Sequence, residues 1–201
     1  MTLRGSAGAA GLALLLAATA AVTLACGGGA SAPRAAAELT NPRLSPEHSQ
    51  WLVGAAGRMA TAEEVQAFLR LADDAAATAF EESFWERRDP DTTRPGNPVR
   101  ELFERRATEA DRRFSEAGYR GRRTARGTYY VLYGEPEKID FAVNPRAGEP
   151  PLEVWTYPRE AAAGLDGRRP AASYRFVKQG DLTVLYQRPV VERARGVRDL
   201  P

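Results

Sequence analysis

The stretch SYRFVKQGDLTVLYQR, residues 173–188, decides the predicted fold class. Two runs rich in aromatic and β-branched residues flank the turn QGD at residues 179–181, which is the pattern of a β-hairpin. Residues 152–157 and 128–133 have the same composition, and GEP at residues 134–136 ends the latter run. We therefore expect a mostly antiparallel sheet of about four strands.

Helical periodicity precedes these runs. TAEE at residues 61–64 is a capping box, and apolar residues recur behind it at spacings of three and four. Two other segments begin with a capping residue followed by proline, which is typical of a helix start. We predict helices over residues 45–57, 61–85 and 97–118. Helices followed by strands predict an α+β fold with the N-terminal helices packed on one face of the sheet.

Composition excludes several classes of protein. The 201 residues suit a single domain, and 28 basic against 26 acidic residues give a net charge of +2. This near-balance argues against nucleic-acid binding through bulk positive charge. One cysteine excludes an intrachain disulfide, and one histidine, His48, removes the usual histidine-rich metal sites. We expect no metal, no cofactor and no nucleic-acid partner.

Charge is nevertheless uneven along the chain. Residues 62–86 carry seven acids and one arginine, whereas residues 87–126 carry twelve arginines and seven acids. Either the two helices pack side by side and their charges compensate, or the second segment is a basic patch for anionic lipid or for an acidic surface of a partner.

The first 26 residues have the pattern of an export signal. A short basic start precedes an uncharged run rich in Ala and Leu, and Ala25 stands before Cys26. The arrangement resembles a bacterial lipobox, with Thr23 at the position where an aliphatic residue is usual. The resemblance implies cleavage after Ala25 and lipid on Cys26, so that the chain is anchored to a membrane. The alternative is an ordinary secretory signal with an incidental cysteine.

These features divide the chain into four parts. Residues 1–25 are a signal peptide of the lipoprotein type, and residues 26–44, which are rich in Gly, Ser, Pro and Ala, are a flexible tether. The α+β domain occupies residues 45–189. A polar tail follows at residues 190–201.

Four blocks together resemble one family of bacterial envelope proteins, which is characterised by the GWxTD domain. The blocks are FWERRDPD at 84–91, TARG at 124–127, YYVLYGEP at 129–136 and EVWTY at 153–157. The resemblance covers residues 50–188. At the motif that names the family, Tyr119 replaces Trp and Ala125 replaces Asp. The family has no established activity, so the resemblance implies a domain type and an envelope location but no reaction.

The first group of candidate site residues lies around two motif blocks. Trp85, Arg88 and Asp89 form either a recognition surface or, through a fork-like pair between Arg88 and a carboxylate, a support for the loop after the helix. Arg126 and Gly127 are either an anion site or, through the freedom of glycine, a tight turn into the first strand.

A second group of candidates lies on the predicted strands. Tyr133 and Trp155 belong to a set of aromatic residues that either packs in the core or forms a binding platform. Gly134 and Pro136 are interpreted as a turn that ends a strand. They do not form a phosphate loop, because the glycine spacing and the Lys-Ser/Thr pair are missing.

The functional hypothesis is an envelope lipoprotein that is more a protein-interaction or assembly module than an enzyme. It would be anchored through Cys26 and would bind another envelope protein through the edge of the sheet or the Arg-rich region of helix and loop. One alternative is an envelope hydrolase that uses Asp89 or Glu135 with a nearby arginine. Another is a module that binds a small anionic or glycan ligand on its strand aromatics.

Overall fold

A computed structural model describes residues 35–187 of the chain. The predicted signal peptide, Cys26, residues 26–34 of the predicted tether and the polar tail lie outside the described residues. The helices are α1 Ala55–Met59, α2 Ala62–Arg70, α3 Asp74–Glu86, α4 Pro98–Phe114 and α5 Ala125–Tyr133. The strands are β1 Lys138–Ala142, β2 Leu152–Thr156, β3 Ser173–Gln179 and β4 Leu182–Leu185, and short 3₁₀ turns lie at Ala36–Leu39 and Gly121–Arg123. Between residues 35 and 187, no helix is both long and apolar enough to cross a bilayer.

The predicted helix over residues 61–85 is two helices in the structure. The capping box at Thr61 is present and starts α2. The chain then turns after Arg70, and the carboxylate of Asp73 accepts a hydrogen bond from the Ala76 N–H at 2.8 Å to start α3. The buried amide of Asn41 donates to the carbonyls of Phe68 and Leu71 at 2.9 and 3.0 Å. The Phe68 carbonyl also accepts from the Leu71 N–H, so the Asn41 amide is its second donor, and the bond to Leu71 satisfies a carbonyl just past the end of α2.

The two other predicted helices differ in outcome. Residues 46–54 form a series of turns, and α1 begins only at Ala55, because Gly54 has a φ of +100° that interrupts a helix. The helix that begins at Asn97 is confirmed, but it ends at Phe114 and not at Gly118. The Asn97 side chain accepts hydrogen bonds from the Val99 and Arg100 N–H groups, each at 3.0 Å, and Pro98 occupies the first turn of α4.

The predicted strand over residues 128–133 is wrong, because this segment belongs to helix α5. The Thr124 hydroxyl accepts a hydrogen bond from the Gly127 N–H at 3.2 Å and so caps the helix. Residues 127–132 are all buried, so the apolar run shows neither a helical nor a strand period. Gly134, at a φ of +81°, ends α5 as a helix cap and not as the end of a strand.

The sheet has four antiparallel strands in the order β1-β2-β3-β4. The hairpin at residues 179–181 and the strand at 152–157 are confirmed, and the observed strand ends differ from the predicted ones by one to three residues. Strand β1 was not predicted. Register places Trp155 opposite Tyr174 on one face of the sheet. Phe114 of α4 packs on Trp155 at a centroid distance of 5.4 Å, and Tyr129 of α5 packs on Tyr174 at 4.1 Å. The α+β prediction, with N-terminal helices against an antiparallel sheet, is confirmed.

Candidate functional site

The guanidinium of Arg88 makes several hydrogen bonds at the place where the end of α3 meets α2. It donates to both carboxylate oxygens of Glu64, at 2.7 and 3.0 Å, and to the carbonyls of Met59 and Phe84. It also lies 3.4 Å from the centroid of the Phe84 ring. The side chains of Arg88 and Glu64 are only 17% and 12% exposed. The fork-like pair is therefore present, and its carboxylate partner is Glu64.

Glu64 connects this pair to the helix start of α2. Its carboxylate also accepts from the Thr61 N–H at 2.9 Å and from Arg87. Partial burial raises the pKa of Glu64, but the hydrogen bonds from Arg88, Thr61 and Arg87 outweigh it and lower the pKa to about 2. The carboxyl is thus a fixed anion that joins α2 to the end of α3.

Trp85 and Asp89 do not complete a recognition surface with Arg88. Trp85 is buried against Phe84 and Phe103 at centroid distances of 5.1 and 4.9 Å. The Asp89 carboxylate accepts a hydrogen bond from the Asp91 N–H at 3.0 Å, which shapes the loop after α3. In these contacts both residues act within the fold.

Arg126 is the centre of a second cluster, the Arg126 network, made of Arg126, Glu116, Glu153, Trp155 and Thr183. Arg126 donates to Glu116 at 2.9 Å and to Glu153 at 3.2 Å. Glu153 also accepts from the indole N–H of Trp155 at 2.7 Å, and Glu116 accepts from the N–H and the hydroxyl of Thr183. The network joins α5, β2 and β4 beneath the surface.

Sequence reasoning placed Arg126 and Trp155 among the candidates but missed Glu116, Glu153 and Thr183. The contacts of Arg126 with Glu153 and of Glu116 with Thr183 span 27 and 67 residues. No local pattern signals partners at such separations. Both carboxylates bind the same guanidinium, so the network links elements by charge-assisted hydrogen bonds.

Gly127 does not form a turn into a strand. It lies in the first turn of α5, where the 3₁₀ turn at Gly121–Arg123 approaches closely. A Cβ on Gly127 would overlap the carbonyl oxygen of Gly121 and stand 2.6 Å from its carbonyl carbon. The absence of a side chain is therefore required for packing.

Tyr133 and Gly134 belong to a tyrosine cluster between α5 and the sheet. The Tyr133 ring stacks on Tyr174 at 5.8 Å with an interplanar angle of 12°, and its hydroxyl donates to Asp166 at 2.9 Å. The Tyr157 hydroxyl donates to the Gly134 carbonyl at 3.0 Å. Burial raises the pKa of both the Tyr133 and the Tyr157 hydroxyls. These phenols remain protonated donors at neutral pH.

The nine candidate binding residues thus divide among three separate places in the fold. Arg88 and its neighbours lie at the end of α3, Arg126 lies in its network, and Tyr133 lies in the tyrosine cluster. Trp85, Trp155 and Pro136 are buried. The structure does not bring these residues together in one cleft.

The residues weighed for catalysis have other partners. Glu135 pairs with Arg113, and that hydrogen bond lowers the pKa of the Glu135 carboxyl. The Nδ1 atom of His48 lies 2.8 Å from the Glu81 carboxylate, and this hydrogen bond raises the pKa of His48. Within residues 35–187, no three His, Cys, Asp or Glu side chains form a group that could hold a metal ion.

Most arginines of residues 87–126 lie in ion pairs. Arg100 of α4 pairs with Glu82 of α3, and Arg122 pairs with Glu104 and Asp111. Arg106, partly buried, donates to the carbonyls of Val131 and Leu132. Ion pairs therefore neutralise most of the positive charge in this segment. Some of these pairs lie within the segment, and others join α3 to α4.

Among the described residues, the two most exposed large apolar side chains lie at strand β1, at an edge of the sheet. Ile139 and Phe141 of β1, and Val143 directly after its end, alternate along the chain and are 40%, 72% and 92% exposed. We call these three residues the β1 row. Ile139 lies opposite Trp155 and Phe141 opposite Glu153, so the row continues the face of the sheet that the helices cover farther inward. The alternation of KIDF at residues 138–141 is a strand signal that could have identified β1 from the sequence.

The two edges of the sheet differ. At β4, the Thr183 N–H and hydroxyl are bound by the Glu116 carboxylate, which blocks part of that edge. At β1, nothing among the described residues pairs with the outer side of the strand. An unpaired edge strand with exposed apolar side chains can pair with a strand of another chain.

In comparisons with known proteins, no family model, curated protein or solved structure matches the chain.

Proposed function

We propose that this chain is a lipid-anchored protein of the bacterial cell envelope and that its domain docks another envelope protein by strand pairing at β1. Its role is assembly and not catalysis. The observation that carries the proposal is the β1 row, in which Phe141 on an unpaired edge strand and Val143 directly after its end are largely exposed. Monomeric proteins usually blunt such edges with charges, prolines or a covering segment. The two charged residues of β1, Lys138 and Asp140, pair with each other and leave the apolar row uncovered.

The envelope location rests on the sequence. The export signal and Cys26 in a lipobox-like position favour an anchored protein, and the four blocks that resemble the GWxTD family favour the same compartment. Membership of that family is part of the proposal.

The sheet edge is a better docking surface than the Arg-rich segment. Arginines that already bind carboxylates would have to break those contacts to bind a partner, and exposed ion pairs contribute little to affinity. The β1 row has no such competing contact. Burying Phe141 in an interface contributes about 2 kcal/mol, which corresponds to roughly thirtyfold in affinity.

Capture from detergent-solubilised envelopes of the native host tests both parts of the proposal. The full chain with a C-terminal tag, produced beside the untagged native chain, should enrich a specific partner, which is either a different protein or the untagged chain itself. Phe141→Asp in the tagged chain should reduce that recovery at least about tenfold, because a carboxylate would then be buried. Leu182→Asp is the matched control, since Leu182 is an exposed apolar residue on the opposite edge strand. It should leave recovery unchanged.

Two results would contradict the proposal. Loss of the partner with Leu182→Asp as well as with Phe141→Asp, or no enriched partner at all, would remove the docking role at β1. The N-terminal peptide of the captured bait should begin at an acylated Cys26. A bait that begins at an unmodified Met1 would remove the anchored location.

A further inference from the structure

We propose that the strand that pairs with β1 is β1 of a second copy of the chain, in antiparallel orientation about a two-fold axis at Phe141. The inference rests on the proposed docking function and names its partner. The pairing joins two four-stranded sheets into one continuous sheet, with the helices of both copies on the same face.

Self-pairing through β1 stops at two copies of the chain. Two copies of one strand in antiparallel orientation are related by a two-fold axis, so the same surface serves both copies and no unpaired β1 edge remains. Because directly opposite residues project to the same side of a sheet, the two β1 rows meet on one face.

The side chains of β1 select one register. With the axis at Phe141, the two Phe141 rings are opposite each other. Where the pairing extends one residue past the end of β1, Ile139 lies opposite the partner's Val143. Every member of the row then faces an apolar residue, and aromatic cross-strand pairs add to the stabilisation from burial.

The neighbouring registers are worse. An axis at Asp140 places two carboxylates directly opposite each other, and like charges in that position destabilise a sheet. An axis at Ile139 places Phe141 opposite the partner's Glu137 and Val143 opposite the partner's Glu135. Both leave part of the row against a charge.

Charges on the other face of β1 do not oppose the pairing. Lys138 and Asp140 form an ion pair with each other at 2.9 Å, so that face of the strand is locally neutral. In the register centred on Phe141, Asp140 lies opposite the partner's Ala142 and meets no second carboxylate.

The apolar contact between two β1 rows is small, so the proposed pair depends on the membrane anchor. Judged from the exposed fractions of the three side chains, the row offers on the order of 350 Å² of apolar surface per copy. Two copies together stay below the roughly 1,200 Å² of a stable, freely diffusing pair. Anchoring both copies to one membrane raises their effective concentration, so that a weak contact becomes populated.

Cysteine cross-linking of the full chain in isolated membranes tests the inference. Opposite Cβ atoms of an antiparallel pair lie about 4.5–5.5 Å apart, within the reach of a short bis-maleimide. Asp140→Cys and Ala142→Cys chains, produced together, keep the whole β1 row and place the two thiols opposite each other. They should give a species of twice the chain mass, at least tenfold more abundant than with Leu182→Cys on the other edge strand. The unsubstituted chain, run in parallel, shows any contribution from Cys26.

A mixed experiment tests the register. Ile139→Cys and Val143→Cys chains with different tags, produced together, should cross-link to each other more than either does to itself. Equal cross-linking of all combinations would overturn the register, and monomeric Asp140→Cys and Ala142→Cys chains would overturn self-pairing. If these chains stay monomeric while capture of another protein still depends on Phe141, the docking function stands with a different partner. If both fail, both proposals fall.

Discussion

Replacing Gly127 by alanine is expected to destabilise the protein by about 3 kcal/mol, because the new methyl group would enter space occupied by backbone. Its Cβ would stand 2.6 Å from the Gly121 carbonyl carbon and 3.2 Å from the Arg122 nitrogen. Neither atom can move freely, since Gly121 itself packs against the Ala110 carbonyl of α4. Helix propensity alone predicts the opposite sign, a gain of roughly 0.5–1 kcal/mol.

Urea unfolding of Gly127→Ala measures this effect. Gly148→Ala is the control. A Cβ added at Gly148 would have no atom within 4 Å, so only the φ of +80° at this position opposes the substitution. The control should cost about 1 kcal/mol. A Gly127→Ala variant as stable as the unsubstituted protein would show that α5 does not pack so closely on the Gly121–Arg123 turn.

Replacing Arg88 by methionine is expected to destabilise the protein by about 3 kcal/mol at pH 7, because it leaves a largely buried carboxylate without its main partner. Methionine retains much of the apolar contact with Phe84 but donates no hydrogen bond to Glu64 or to the Met59 carbonyl. Arg94→Met is the matched control. Arg94 pairs with Asp91 on the surface and is 73% exposed, so its loss should cost less than about 0.5 kcal/mol.

The effect of Arg88→Met should depend on pH with a defined sign. The pKa of Glu64 is lowered to about 2 in the folded protein, from 4.5 for an unperturbed glutamate. The stabilisation is therefore complete above about pH 4.5 and declines as pH falls toward 2. The difference between the unsubstituted protein and Arg88→Met should shrink between pH 5 and pH 3 in urea unfolding. A difference that grows on acidification, or an effect no larger than that of Arg94→Met, would contradict the assigned role of the pair.

Local signals in the sequence predicted the elements whose ends are determined by their own residues. The capping box at Thr61, the cap at Asn97 and the glycine turn at residues 179–181 each act over two to four residues, and the structure has all three. Such contacts can be identified from spacing alone.

The errors arose where packing decides the conformation. The aromatic, β-branched run at residues 128–133 has strand composition, yet Thr124 caps it as a helix that is buried on all sides. The single helix predicted over residues 61–85 is broken where Asp73 begins a second one. Partners such as Glu64 for Arg88 and Glu153 for Arg126 lie 24 and 27 residues away, beyond any local pattern.

The blocks that resemble the GWxTD family are accounted for by contacts inside the fold. Trp85 packs in the core, Arg88 pairs with Glu64, and residues 129–133 form most of α5. The β1 row lies between the last two blocks. The proposed docking surface at β1 is therefore separate from the residues of these blocks, which build the domain.

Photo-cross-linking in intact envelopes tests the docking claim most directly. A benzophenone amino acid at position 141 resembles the native aromatic side chain and reacts only with groups in contact with it. We expect membrane-associated adducts from position 141 and none from position 108, an exposed site on α4. Adducts from position 108 in equal yield, or no adduct from position 141, would contradict a docking surface at the edge of the sheet.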